Sequence, residues 1–335
     1  MRRRFFRSVF FSLGMLAMIG ISAVSYFGQT RPAGVYVVPR TPWGDPDFQG
    51  IWPGNMGVPL QRPVEFGERT TLTDAEFARR EAQAKAQSEA DAQEFVTPGT
   101  TIGVGPPSHW TERGKPTRQA SLIVDPENGR LPALTAEAEK RRRETILPGE
   151  WRGEANSYED LNIYYRCITR GLLGSIIPVV YGNGNEIIQA PGYVLLRHEM
   201  IHESRVIPLD GSPHASPAIR SYMGDSRGHW EGTTLVVETT NFTDKVAIGS
   251  NGAGYPGDPG YHSQDLRVIE RFTRTDANTL QYEATVDDPK TWVRPWTISM
   301  PLVRDPNYGL FEYACHEGNY AMTNILSGAR AAEKK

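Results

Sequence analysis

From Asn185 onward the chain is built of short runs, EIIQ, YVLLRHE, SRVIPL, TTLVVETTNF, DLRVIERFTR, TLQYEATV, WTISMPL and LFEYAC. β-Branched and aromatic residues fill them, several alternate with polar residues, and Gly, Pro, Asp and Asn separate them; that is how strands burying one face are written. About eight such strands with short connections, DAN among them, predict a mainly β fold, an antiparallel lipocalin-like barrel or tightly closed sandwich. NYAMTNILSGAR then predicts a C-terminal helix.

Upstream the pattern changes. Thr73-Asp74-Ala75-Glu76 is a capping box that opens a polar, alanine-rich helix running to about Glu94, and Thr135 can cap AEAEKRRRETI before Pro148. Neither segment has a broad apolar stripe, so both predict solvated helices. Ser157 with Asp160 repeats the capping logic ahead of Leu161, Tyr164 and Tyr165, while GDPDFQGIW supplies a first short strand. The expected organisation is a signal segment over 1–25, a proline-rich, partly helical wrapping extension over 26–156, and a β domain with its terminal helix over 157–335.

The opening MRRRFFRSVFFSLGMLAMIGISAVS has a basic start, an apolar stretch and small residues at Ala23 and Ser25, as in a secretory signal peptide cleaved near Ser25. An uncleaved anchor helix is the alternative. Either way the domain is expected to be periplasmic or secreted, and RRRFFR approaches the twin-arginine export signal. Removing residues 1–25 removes four arginines and no acid, taking the formal charge from -3 to -7. So acidic a chain is not expected to bind nucleic acid, or a membrane beyond the signal segment. Cys167 and Cys315 are the two cysteines, and an oxidising compartment favours their pairing. A nucleophilic Cys315 beside His316 is the functional alternative.

Several motifs suggest chemistry. His198-Glu199-Met200-Ile201-His202 matches the zinc-protease pattern H-E-x-x-H, which needs a helix to set both histidines on one face. Here it follows YVLL and runs into SRVIPL, so two strands or a kinked strand are predicted instead. A metal held by His198 and His202, with His214 as a third ligand, stays open as a hydrolase alternative. Gly224-Asp225-Ser226-Arg227-Gly228 spells the nucleophile elbow of α/β-hydrolases, but another strand follows it and a hairpin turn explains it better. In DLRVIERFTR, alternation puts Leu266, Val268, Glu270 and Phe272 on the inner face, with Arg294 the candidate partner of the buried carboxylate. FEYACHEGNY gathers Glu312, Tyr313, His316, Glu317 and Asn319 at an expected strand end, where His316 could be a general base or metal ligand, or the cluster could be a hydrogen-bonded knot docking the last helix. The glycine-rich Ser250–His262 stretch predicts a loop, a candidate lid.

PGYVLLRHEMIHESRVIPLDGSPH, MGDSRGHWEGTTLVVETTNF, ERFTRTDANTLQYEATVDDPKTWVRPW and FEYACHEGNYAMTNILSGAR together resemble a large family of exported bacterial proteins of uncharacterised function. The likeness extends over DPDFQGIW and SLIVDPENGRLPALT as well. It implies a β-rich fold, names no activity, and favours Glu199 and His202 over His198 within HEMIH. The expectation for function is therefore a β-barrel that binds a small apolar or aromatic molecule and could transform it by acid/base chemistry. Glu199, His202, Glu270 and His316 would move protons, and Arg294 would stabilise negative charge. A metal-dependent hydrolase and a non-catalytic envelope protein are the alternatives.

Overall fold

A computed structural model describes residues 36–54, 57–93, 111–112, 114–144, 155–161, 163–179, 181–246, 248 and 262–334. The signal segment and nearly all of the expected lid lie outside them. Two capping boxes act as expected. Thr73 and Glu76 bond reciprocally at the start of α1 (Asp74–Gln93), and Ser157 and Asp160 do so around a single 3-10 turn, Tyr158–Asp160. The Thr135 hydroxyl accepts from Ala138 N at 3.1 Å and opens α2 (Ala136–Glu144).

Among the described residues, ten strands form two antiparallel sheets. β1 (Gly50–Ile51), β3 (Asn185–Ala190), β4 (Tyr193–His198) and β5 (Ser204–Pro208) make one, in the order β1-β3-β4-β5. β2 (Ile123–Asp125), β6 (Asp225–Glu231), β7 (Thr234–Thr240), β8 (Arg267–Arg274), β9 (Thr279–Asp287) and β10 (Trp296–Val303) make the other, in the order β2-β10-β9-β8-β7-β6. Strict alternation in β8, β9 and β10 buries every second residue, as a sheet with one covered face requires. Ile187, Leu196 and Ile207 from the smaller sheet share one core with Leu235, Phe272, Tyr282 and Met300 from the larger. The 36–156 region adds β1 and β2 as edge strands, and its Phe48, Trp52, Leu122 and Ile123 enter that core.

β5 and β6 approach one another, yet no ladder joins them, and no closed barrel is found among the described residues. Glycine permits the approach. A Cβ on Gly228 of β6 would lie 2.7 Å from Leu209 Cδ2 and 2.8 Å from Ile207 Cγ2. This corrects the hairpin expected at GDSRG, because residues 225–228 are strand and the β6–β7 turn comes later, at Gly232 with φ 63°. LFEYAC is likewise not a strand. The N–H of Phe311 goes to the Glu199 carboxylate and that of Cys315 to Tyr313 O, bonds that belong to no ladder. Cys167 and Cys315 form a disulfide, which fits an oxidising compartment. α3 (Ala321–Ala332) packs its apolar side on Ala155 and Leu161. No helix among the described residues is long and apolar enough to cross a membrane.

Candidate functional site

HEMIH is neither helix nor strand throughout. His198 ends β4, and Met200–His202 make one 3-10 turn in which Ile201 and His202 have φ of 61° and 45°. A β-branched residue in the left-handed region is strained, and such strain persists only where the surroundings impose it. Here Met200 and Ile201 are buried against Val179, Tyr181 and Tyr313. The three expected metal ligands go to three different places. His198 is buried, with Nδ1 2.7 Å from Asn185 Oδ1. His202 is exposed, with Nδ1 3.0 Å from Tyr313 O. His214 is held by Asp225 at 3.0 Å. The three expected metal ligands therefore do not converge, and no group of three or more such ligands does among the described residues.

Glu199 is the residue around which a site assembles. Its Oε2 accepts from the Tyr308 hydroxyl at 2.5 Å and from Gly184 N at 3.3 Å, and its Oε1 accepts from Phe311 N at 3.3 Å. A second carboxylate, Glu112, accepts from Gly182 N at 2.9 Å and Asn183 N at 3.0 Å, and its oxygens lie 3.3 and 3.2 Å from the same Tyr308 oxygen. One phenolic proton thus faces two carboxylates. Burial first, then the bond to Glu199 and the charge of Glu112, push the Tyr308 pKa far upward, so the group remains a phenol.

The segment GNGN, residues 182–185, builds this arrangement. Successive N–H groups of Gly182, Asn183 and Gly184 turn toward the carboxylates, a backbone concavity suited to negative charge. Asn183 fixes the loop by accepting from Val179 N and donating to Val179 O. A side chain at 184 would not fit, since a Cβ there would meet Glu199 Oε2 at 2.6 Å and Tyr308 Cε1 at 2.8 Å.

Glu112 and Tyr308 also line a cavity of about 340 Å³, whose wall includes Pro53, Pro301, Val303 and Arg304. That size and mix of apolar surface with a few polar groups suits a small organic molecule. Glu112 and the lone pairs of Tyr308 offer acceptors, and Arg304 offers donors. The sequence patterns missed Glu112, Tyr308 and Arg304. GNGN is a signal that could have pointed to them, because two glycines alternating with asparagine mark a backbone that approaches other groups closely.

The remaining expected site residues are elsewhere. Glu270 is fully buried and bonds Arg205 through both carboxylate oxygens, one at 2.8 Å, and also accepts from Tyr282 OH at 3.0 Å. It does not pair with Arg294, which is half exposed and bonds Asp125 at 2.8 Å, because Arg294 leaves the sheet before β10 while Arg205 points inward from β5. His316, Glu312 and Glu317 are exposed and lie outside any strand, so the strand end expected there is absent. Asn319 donates to Tyr165 O at 3.2 Å, and because Glu312, His316 and Glu317 are exposed the cluster is not a buried knot.

The chain matches no protein-family model, and comparison with curated proteins and with solved structures gives no significant match.

Proposed function

We propose that this chain is an exported small-molecule-binding protein of the family its motifs resemble, and that the ligand occupies the cavity beside Tyr308. The observation that carries this is the Tyr308 hydroxyl, held at 2.5 Å by Glu199 and flanked by Glu112 at the wall of a 340 Å³ cavity. A partly buried phenol between two carboxylates is costly for packing alone, and useful where a ligand's polar hydrogen must be oriented or removed. Glu112 is the proton acceptor in this reading. Tyr308 orients the ligand and relays, and Glu199 fixes the phenol. The apolar part of the ligand rests on Pro53, Pro301 and Val303. The core common to both sheets and the close β5 and β6 edges support describing the fold as a barrel-like shell, with this cavity in its wall rather than its middle.

A thermal-shift screen of small phenols, anilines, aryl acids and aryl amides, followed by calorimetry on the hits, tests this. Tyr308→Phe and Glu199→Gln are expected to weaken binding by about tenfold or more, the loss of a hydrogen bond to a charged group. Hits that bind both variants as well as the parent chain would refute the assignment.

A further inference from the structure

Among the described residues, Arg304 on the wall of this cavity has no ionic partner. Arg304 stacks over the buried indole of Trp52, its guanidinium carbon 4.4 Å from the ring centroid, and Arg274 lies 5.6 Å from the same ring. Among the described residues only backbone oxygens receive their bonds. Arg304 Nη2 donates to Gln49 O, while Arg274 donates to Asp47 O at 2.7 Å and to Ala277 O at 2.9 Å. Among the described residues neither guanidinium forms an ion pair, and Nε of each lacks a hydrogen-bond partner. The backbone makes room for Arg304 in particular. At Gly50, with φ 132°, a Cβ would come within 2.5 Å of Arg304 Nη2.

The acids nearby do not pair with Arg304, and Glu112 on the same wall bonds Gly182 N, Asn183 N and Tyr308 instead. The Asp47 carboxylate accepts from Gln49 N at 3.0 Å, so it acts on Arg304 only through space. Asp305, on the cavity wall, is exposed and accepts from Asn307 N at 2.9 Å. A guanidinium stacked on indole is fixed in orientation, and with Nη2 on Gln49 O and Nε buried, Arg304 keeps Nη1 for a charge-assisted bond to a carboxylate oxygen. The same cavity carries acceptors at Glu112, which suit a hydroxyl or amino group.

We propose that the ligand is a small aromatic carboxylic acid bearing a hydroxyl or amino group, with its carboxylate on Arg304 and its donor group toward Glu112. This rests on the cavity being the binding site.

Calorimetry on the full chain with 4-hydroxybenzoate and 4-aminobenzoate, beside the matched 4-hydroxybenzamide, separates the two ideas. The acids are expected to bind, and the amide to bind about tenfold more weakly, the difference between a charged and a neutral partner for the guanidinium. Arg304→Met should remove that preference, and Arg304→Lys should restore part of it. The comparison of acid with amide on the unaltered chain needs no variant to fold. Equal binding of acid and amide, or acid binding untouched by Arg304→Met, overturns the inference. If such binding still depends on Tyr308, the cavity reading survives without it. If no probe binds, the inference falls together with that reading for this class of ligand.

Discussion

Arg205 of β5 and Glu270 of β8 join the two sheets through paired hydrogen bonds, with side-chain exposures of 5% and 0%. Ser226 and Thr239 stand 3.5 and 3.4 Å from Arg205 Nη1, and Tyr282 donates to Glu270, so the pair sits in a polar island inside an apolar core. Removing one partner strands a buried charge, whereas removing both together need not destabilise. Glu270→Gln is expected to cost about 3–5 kcal/mol in urea denaturation, and Arg205→Met with Glu270→Leu to recover most of it. Probe binding in the cavity should persist in the folded double variant. Lost binding at unchanged stability would instead return Glu270 to the site.

Gly184→Ala tests the cavity wall without altering any polar group. The added methyl would meet Leu310 Cδ1 at 2.5 Å as well as Glu199 and Tyr308, so these side chains must move. Overpacking of this kind costs about 1–3 kcal/mol. The expected result is a folded protein with weakened probe binding, seen by calorimetry alongside thermal unfolding. Unchanged binding would mean that the Glu199–Tyr308 bond does not shape the ligand site.

The strands were legible because a half-buried sheet imposes a period of two, and β8 shows it residue by residue, with Val268, Glu270 and Phe272 inside. That period places Glu270 indoors but cannot choose its partner, which depends on how one sheet lies on the other; hence Arg205 rather than Arg294. The site was legible only at Glu199. Glu112 and Tyr308 are separated by 196 positions and each is ordinary in its own segment. Their meeting depends on GNGN, a loop whose conformation follows from long-range packing. Strand β6 was hidden by glycines that mark a turn in one case, Gly224, and close sheet contact in the other, Gly228.

Two buried imidazoles set an acid limit. Burial holds His198 at about 3, helped by the charges of Arg205 and Arg170, and burial holds His262 at about 4, both against an ordinary 6.5. Each is neutral in the fold and gains a proton on unfolding below pH 6.5. The unfolded state therefore binds more protons, and stability falls as pH drops. The contribution is complete above pH 6.5 and lost progressively toward 3 to 4. Each histidine should contribute a slope of about 1.4 kcal/mol per pH unit inside that window. Urea midpoints measured from pH 7 to 4.5 check this, and His198→Gln should flatten the profile. An unchanged profile in that variant would show that His198 is not held neutral by its surroundings.

The Cys167–Cys315 disulfide spans a sequence separation of 148 and anchors the segment that follows Tyr308. In the chain-entropy model so long a loop corresponds to about 4–5 kcal/mol as an upper estimate. The anchor also bears on the site. Tyr308 and the Phe311 N–H both reach Glu199 from a segment without ladder bonds, and the disulfide, with Asn319 bonded to Tyr165 O, ties its far end to the body of the protein. Paired Cys167→Ser and Cys315→Ser substitutions should therefore lower stability, and at temperatures where the chain is still folded they should weaken cavity binding by more than the distant Glu270→Gln variant does. Calorimetry on both variants, matched for the folded fraction, decides between a bond that only holds the chain together and one that also keeps Tyr308 at the cavity wall. Equal affinities in the two would assign it the first role alone.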